Sequence, residues 1–97
     1  MAKFVYLYTG GSMPETEEEG ERLMKAWMEW LGAMGKHVTD AGNPFGASKS
    51  VNGNGHMHAT GYSIVEAGSL DEAAEHAKGC PIFAGGGDVE VYEALSM

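Results

Sequence analysis

The amino-acid sequence predicts an α+β fold on the ferredoxin-like βαββαβ plan, in which two helices cover one face of an antiparallel sheet. Three observations lead to this prediction. Four short segments are rich in β-branched and aromatic residues, as strands are. Two longer segments begin with capping boxes and carry apolar residues at helical spacing. A length of 97 residues leaves room for a single domain, over residues 1–97.

The first predicted strand covers residues 3–8 and is apolar on both sides, so both sides need cover. A short strand is predicted around residues 37–39, and a longer one at residues 57–66. The last strand, at residues 88–92, alternates polar and apolar side chains. Residues 41–54 form a loop that is rich in glycine, asparagine and serine.

The first predicted helix covers residues 14–34. Its start is open by one turn, because two capping boxes overlap there. One pairs Ser12 with Glu15, and the other pairs Thr16 with Glu19. The apolar stripe of this helix consists of Leu23, Trp27, Trp30, Leu31 and Met34.

The second predicted helix covers residues 70–78. Ser69 and Glu72 form its capping box. Gly79 follows the last helical residue, where glycine commonly ends a helix.

Side chains alternate along a strand, so each strand divides into two faces. We expect small and aliphatic side chains to face the helices, because they allow close approach: Val5, Leu7, Gly61, Val65, Val89 and Val91. The opposite face then carries all four tyrosines and their neighbours: Tyr6, Tyr8, Tyr62, Tyr92, Phe4, Ile64, His58 and Glu90. An exposed aromatic face is unusual in a monomer. The sequence therefore predicts a homodimer in which a second copy covers this face.

Charge and cysteine content exclude several classes of protein. Six basic and fourteen acidic residues give a net charge of −8, which leaves too few cations for a nucleic-acid or anionic membrane surface. No apolar run is long enough to span a bilayer, and the first residues lack the apolar stretch of a secretory signal. The single cysteine, Cys80, suits a reducing compartment. We expect a cytoplasmic protein.

Several segments together resemble the YCII-related family. They follow a glycine turn and a tryptophan-rich helix. The segments are Gly42-Asn43-Pro44-Phe45, Gly61-Tyr62-Ser63-Ile64-Val65-Glu66-Ala67, Ser69-Leu70-Asp71-Glu72-Ala73, Cys80-Pro81-Ile82-Phe83-Ala84-Gly85-Gly86 and Val89-Glu90-Val91. The resemblance covers nearly the whole chain. It implies a dimeric α/β barrel built on the ferredoxin-like plan.

The resemblance also implies two positions at which catalytic residues are expected. Some members of the family are regarded as enzymes that use a histidine on the first helix and an aspartate just before the proline of the late loop. The sequence departs from this pattern at both places. Trp27 stands where the histidine is expected, and Cys80 stands before Pro81 where the aspartate is expected. The family's suspected acid–base pair is therefore not carried over to this chain.

Two groups of residues are candidates for ligand binding. Tyr6, Tyr8 and Tyr62 would orient a small aromatic or carbonyl compound through their hydroxyl groups. Packing at a dimer interface explains the same tyrosines equally well. In the loop, Asn43 and Lys49 are candidates, because glycine-rich loops often cover binding sites. A solvated loop is the alternative.

His58 is the candidate acid–base catalyst, since the ordinary histidine pKa of about 6.5 suits proton transfer near neutral pH. His56 lies two residues earlier, on the same side of the predicted strand. In a separate, metal-binding hypothesis both imidazoles bind a metal ion, with further ligands from Glu90, Tyr62 or a second copy of the chain. Two imidazoles alone fall short of the three protein ligands of a catalytic zinc site, so no metal and no cofactor is assigned. Two ordinary, partly exposed histidines are the alternative.

Two hypotheses for function follow. In the first, the protein is an enzyme that acts on a small aromatic or carbonyl-bearing metabolite in a pocket of the dimer, with His58 as the catalytic group. In the second, it is a non-catalytic dimer that binds a ligand or has a regulatory role.

Overall fold

The structure is a computed structural model that describes residues 2–11, 14–53 and 58–96. Its strands and helices are β1 (Ala2–Thr9), α1 (Glu17–Met34), β2 (Val38–Asp40), β3 (Ala59–Ala67), α2 (Leu70–Ala77) and β4 (Asp88–Ala94). Two short 3-10 turns connect them, Gly35–His37 after α1 and Pro81–Gly85 after α2.

The four strands form one antiparallel sheet in the order β2-β3-β1-β4. Residues of both helices pack against the same buried side chains of β1 and β3. The Cα atoms span 18 Å in the thinnest direction, which suits one sheet layer and one helix layer. The fold is the predicted α+β ferredoxin-like arrangement.

Both helices begin at the residues that their capping boxes indicate. Thr16 caps α1, and its hydroxyl oxygen accepts the Glu19 backbone N–H at 3.1 Å. The alternative start at Ser12 lies outside the described residues. Ser69 caps α2, and its oxygen accepts the Glu72 N–H at 3.1 Å. Neither helix is long and apolar enough to cross a membrane, over the ranges that the structure describes.

The core is built from large side chains on β1 that face small ones on β3. Tyr6 lies opposite Ser63, and Tyr8 lies opposite Gly61. Tyr6 and Ser63 are almost completely buried, and Tyr8 is 5% exposed. The small residues of β3 leave space for the aromatic rings of β1, which pack with residues of both helices in the core.

The predicted face with four tyrosines does not exist, and the assignment of the β1 side chains was wrong. Tyr6 faces the helices, and its hydroxyl donates to the Ala73 carbonyl oxygen of α2 at 2.5 Å. Tyr8 also faces the helices, together with Phe4. On β3 and β4 the prediction was right, because Gly61, Val65, Val89 and Val91 do face the helices, with Val65 fully buried.

The other face of the sheet, which we call the open face, is more aliphatic than predicted. The register of the strands aligns Val5 with Ile64 and Tyr92, and Leu7 with Tyr62 and Glu90. The side chains of β1 and β3 on this face are partly buried, whereas Tyr92 is 45% exposed. The Tyr92 hydroxyl donates to the Glu90 carboxylate, which raises the pKa of Tyr92.

Candidate functional site

A cavity of about 730 Å³ lies at one end of the sheet, on the side of the helices. It is bounded by the end of β1, the start of β3 and the first half of α1. Residues 41–44 and the turn after α2 complete the wall. The cavity is thus formed within one chain, between the sheet and α1, and not on the open face.

Aromatic rings form one wall of the cavity. Tyr8 and Trp27 meet edge to face, with ring centroids 4.9 Å apart and planes at 83°. Trp30 packs behind Trp27 at 5.6 Å, and its indole Nε1–H donates to the His76 carbonyl oxygen at 3.0 Å. Leu23 and Ile82 add aliphatic surface. The indole of Trp27 is held at a fixed angle, because the rings on both sides of it are themselves buried or bonded.

A chain of hydrogen bonds crosses the floor of the cavity. The Tyr8 hydroxyl donates to Ser63 Oγ at 2.8 Å, and the Ser63 hydroxyl donates to the Ala41 carbonyl oxygen at 2.6 Å. Burial raises the pKa of Tyr8 far above its usual value, although the hydrogen bond to Ser63 partly opposes this effect. Tyr8 therefore stays protonated near neutral pH, and its oxygen keeps lone pairs that can accept a hydrogen bond.

The segment 41–45 is fixed on the edge of β3. The Tyr62 backbone N–H donates to the Asn43 carbonyl oxygen at 3.3 Å, and the Phe45 N–H donates to the Thr60 carbonyl oxygen at 2.9 Å. Gly42 makes this approach feasible. Its φ is +80°, and a Cβ atom there would lie 1.7 Å from the Tyr62 carbonyl oxygen. Only glycine fits, so Gly42 positions a whole wall of the cavity.

Few ionisable groups reach the cavity. Among the described residues that line it, Tyr8, Glu19 and Tyr62 are the ionisable ones, and the Tyr62 ring is on the opposite face of the sheet. The Glu19 carboxylate accepts the Glu15 backbone N–H at 3.0 Å and lies at the exposed start of α1. No histidine, lysine, arginine or cysteine is found in this described lining. Its chemistry is that of an apolar pocket with hydroxyl and amide groups and one carboxylate.

Cys80 lies beside the cavity but is not poised as a nucleophile. It is buried next to Tyr6 and Tyr8, and burial raises the pKa of its thiol to about 11. A thiol with this pKa is protonated at neutral pH, and the thiolate is the reactive form. Cys80 is therefore a packed core residue and not a nucleophile at neutral pH.

The structure brings half of the predicted site residues together. Tyr8, Tyr62 and Asn43 line the cavity, whereas His58 and Lys49 are exposed and outside its lining. Tyr6 is buried beneath it. His56 lies outside the described residues.

Tyr62 contributes to the lining from the other side of β3. Its ring lies on the open face, stacked on Phe45 with centroids 5.7 Å apart, and its hydroxyl donates to Asp40 at 3.4 Å. The start of β3 therefore contributes to both faces of the sheet, since it borders the cavity on one face and carries the Tyr62 ring on the other.

Ser63 and Ile82 line the cavity but were not among the site residues predicted from the sequence. Ser63 is the one polar side chain among the buried residues that the structure describes. A serine on the face assigned to the helices was the available signal, because a hydroxyl there needs a hydrogen-bond partner. Ile82 gives no comparable signal, since any apolar residue after Pro81 would pack in the same way.

Comparison with known proteins gives one result. No curated protein matches the chain. The model of the YCII-related domain matches residues 4–97. The matched region contains all of the sheet except the first two residues of β1, both helices, and the positions of Trp27 and Cys80. Since this match covers nearly the whole sequence, the chain belongs to the YCII-related family.

Proposed function

We propose that the protein binds a small, neutral, mostly apolar molecule with a planar ring in the cavity beside Trp27. The observation that carries this proposal is the cavity itself. Its volume of about 730 Å³ lies in the usual range of ligand pockets, roughly 300–1,000 Å³. An edge of the Trp27 indole and the Tyr8 ring offer a surface on which a planar ligand packs.

The charges around the cavity favour a neutral or cationic ligand. Glu19 is at the mouth, and the whole chain carries a net charge of −8. An anion would meet repulsion without a compensating basic side chain in the described lining. The hydroxyl oxygens of Tyr8, Thr60 and Ser63 already donate their hydrogens and can accept from a hydroxyl or N–H group of the ligand. The side-chain amide of Asn43, which also lines the cavity, can donate to a ligand carbonyl.

Binding fits this geometry better than catalysis does. An acid–base catalyst must come within about 2.6–3.2 Å of the proton that it transfers. His58 is exposed and is not part of the lining, Tyr8 is held protonated, and Trp27 stands where the family's histidine is expected. The enzyme hypothesis with His58 as catalyst stays a prediction. Replacing His58→Gln and finding turnover of a substrate unchanged would dismiss it.

A binding experiment tests the proposal. Uniformly ¹⁵N-labelled protein is titrated with neutral aromatic compounds (acetophenone, benzamide, indole) and with benzoate as the anionic comparison, while amide and indole resonances are followed by NMR. We expect saturable shifts for the Trp27 indole and the Gly61 and Ser63 amides with neutral compounds, and weaker shifts with benzoate. If no neutral compound perturbs these resonances, or if benzoate binds best, the proposal is wrong.

A matched pair of variants on α1 separates the cavity from general surface binding. Leu23 lines the cavity, whereas Met24, its neighbour, is 65% exposed and lies outside it. Leu23→Trp fills the cavity and is expected to abolish the shifts. Met24→Trp adds the same side chain elsewhere and is expected to leave them intact. Thermal melting of both variants shows whether the fold is retained.

We also propose that the open face pairs with a second copy of the chain. Support comes from its apolar side chains, Val5, Leu7 and Ile64, which no other element of the described chain covers. The pairing would bury an aliphatic surface with tyrosines at its margin. Sedimentation velocity that gives the mass of two chains supports the proposal, and a monomer at all concentrations overturns it.

A further inference from the structure

A second cluster of chemically capable side chains lies away from the cavity, at the opposite end of β3. It consists of His37, Glu72 and His76. One ligand atom from each residue lies within 4.8 Å of the ligand atoms of the other two. The cluster joins α2 to the turn that follows α1, and it does not include any group that lines the cavity.

The Nε2 atom of His76 has no hydrogen-bond partner, although it is buried. The nearest partner atom is Glu72 Oε1 at 3.6 Å, which is too far for a hydrogen bond. The ring of His37 lies beside that of His76, with centroids 5.1 Å apart. An unsatisfied buried nitrogen is costly, and such a group usually has a function or a missing partner.

His37 and Glu72 are each oriented by a hydrogen bond at one side-chain atom, which leaves the second atom free to bind a metal. His37 Nδ1 lies 3.2 Å from the Glu66 carbonyl oxygen, which can only accept, so Nδ1 carries the hydrogen. The lone pair of the neutral ring is therefore on Nε2. The Glu72 Oε2 atom accepts the Gly68 N–H at 3.1 Å, which leaves Oε1 directed at His76. Metal-binding histidines and carboxylates commonly have such outer partners.

The backbone holds the cluster rigidly. Glu72 and His76 are one turn apart on α2 and share one side of the helix. The Trp30 indole bonds to the His76 carbonyl oxygen, and the Tyr6 hydroxyl bonds to the Ala73 carbonyl oxygen, so α2 is fixed to α1 and to the sheet. The helix that carries two of the three side chains is therefore held in place from both sides.

We propose that His37, Glu72 and His76 bind a divalent transition metal ion of the zinc class. Two imidazole nitrogens and one carboxylate oxygen form a donor set that zinc accepts, and magnesium and calcium prefer oxygen atoms alone. Zinc bonds of about 2.0–2.1 Å place tetrahedral ligand atoms roughly 3.4 Å apart. The pair of His76 and Glu72 is already at 3.6 Å, and the remaining distances, which are at most 4.8 Å, must shorten by no more than about 1.4 Å. Three protein ligands leave a fourth position for water.

Zinc chloride is the probe for the test. The metal-free protein is titrated with it by calorimetry, and the thermal midpoint is recorded with and without zinc. We expect one zinc ion per chain and a rise of the midpoint, because a ligand that binds the folded chain stabilises it. Cobalt(II) in place of zinc reports the geometry through its visible absorbance. A dissociation constant for zinc above about 100 µM in the wild-type protein overturns the proposal. A rise of the thermal midpoint without binding of one zinc ion per chain overturns it as well.

Variants assign the bound zinc to the cluster. His37→Gln, Glu72→Gln and His76→Gln are each expected to weaken zinc binding at least about tenfold. Glu72→Gln retains the capping box, so the helix keeps its start. Glu75→Gln is the matched control, since Glu75 is on the same helix, exposed and paired with Lys78 instead.

His58→Gln separates this site from the histidines before β3. Zinc binding that survives His76→Gln and is lost with His58→Gln overturns the proposal. Zinc binding that survives His58→Gln and is lost with His76→Gln supports it. The metal site does not depend on the proposed ligand cavity, and either can fail without the other.

Discussion

The two faces of the sheet both carry apolar side chains but are organised differently. On the helix side, both β1 tyrosines lie opposite a small β3 residue, Tyr6 opposite Ser63 and Tyr8 opposite Gly61. On the open face, side chains of similar size lie next to each other, as Leu7 lies next to Tyr62. Large beside small leaves grooves for a helix, whereas uniform size gives a flat surface. The helices cover the face on which the β1 tyrosines lie opposite small β3 residues.

The largest effect is expected from a substitution in the segment 41–45, which lies on the edge of β3 and borders both faces of the sheet. Gly42→Ala is expected to lower the free energy of unfolding by about 3–5 kcal/mol. The added Cβ atom overlaps the Tyr62 carbonyl oxygen, and alanine disfavours the φ of +80°. Displacing the segment breaks its hydrogen bonds to Thr60 and Ser63 as well. Chemical denaturation followed by circular dichroism measures the change.

Gly46→Ala is the matched control, because nothing lies within 4 Å of a Cβ atom at that position. It is four residues along the same loop and is expected to change the free energy of unfolding by less than about 0.5 kcal/mol. Equal losses in the two variants would show that the segment does not lie against β3 as described.

The second largest effect is expected from a charge placed on the open face. Leu7→Lys places a charge in the middle of that face, beside Glu90 on β4, which can pair with it in a single chain. If two chains associate through this face, losing two buried leucine side chains raises the dissociation constant of the dimer about a hundredfold. Sedimentation velocity over a range of concentrations measures it.

Met28→Lys serves for comparison, since Met28 is 68% exposed on α1, on the helix side of the sheet. We expect the Met28→Lys variant to sediment with the same oligomeric mass as the wild-type protein. If both variants dissociate, or neither does, the open face is not the dimer surface.

The order of the elements was predictable from the sequence, and the facing of β1 was not. Capping boxes at Thr16 and Ser69 are local signals. The box at Ser69 gave the start of α2 directly, whereas two overlapping boxes left the start of α1 open by one turn, and the structure begins that helix at Glu17 rather than at residue 14. The side of the sheet that a residue faces depends on its partners across strands, which local patterns do not report. The first strand, Ala2–Thr9, is apolar on both sides, so its alternation alone left the choice open.

The candidate sites were predictable to different degrees. Tyr8, Tyr62 and Asn43 were identified because aromatic residues and glycine-rich loops are common in pockets. The metal cluster was missed. Glu72 and His76 are spaced one helical turn apart, which the sequence shows, but His37 comes from a turn 35 residues earlier than Glu72, and only the fold brings it near. Long-range proximity of this kind has no signature in a single sequence.

The smallest expected effect compares one hydroxyl group on each face. Tyr6→Phe removes the hydroxyl that bonds to the buried Ala73 carbonyl oxygen and is expected to cost about 1–2 kcal/mol. Tyr62→Phe removes a partly exposed hydroxyl 3.4 Å from Asp40 and is expected to cost less than about 0.5 kcal/mol. Denaturation at pH 7 measures both. Equal costs would place the two tyrosines in equivalent surroundings, contrary to the burial of Tyr6.

The dependence of stability on pH above neutrality is a second test of the Tyr6→Phe variant. A change in packing alone would not alter this dependence. Burial raises the pKa of Tyr6 to about 12, whereas an unfolded tyrosine has a pKa near 10. Between these values the unfolded chain releases the phenolic proton and the folded chain keeps it, so this contribution is complete below about pH 10 and is lost as the pH rises through 12. Tyr8 and Cys80 act in the same direction, since burial raises the pKa of both. The wild-type protein therefore loses stability steadily above pH 9, and Tyr6→Phe loses it less steeply. An identical slope in the two proteins would mean that the Tyr6 hydroxyl is not buried against α2.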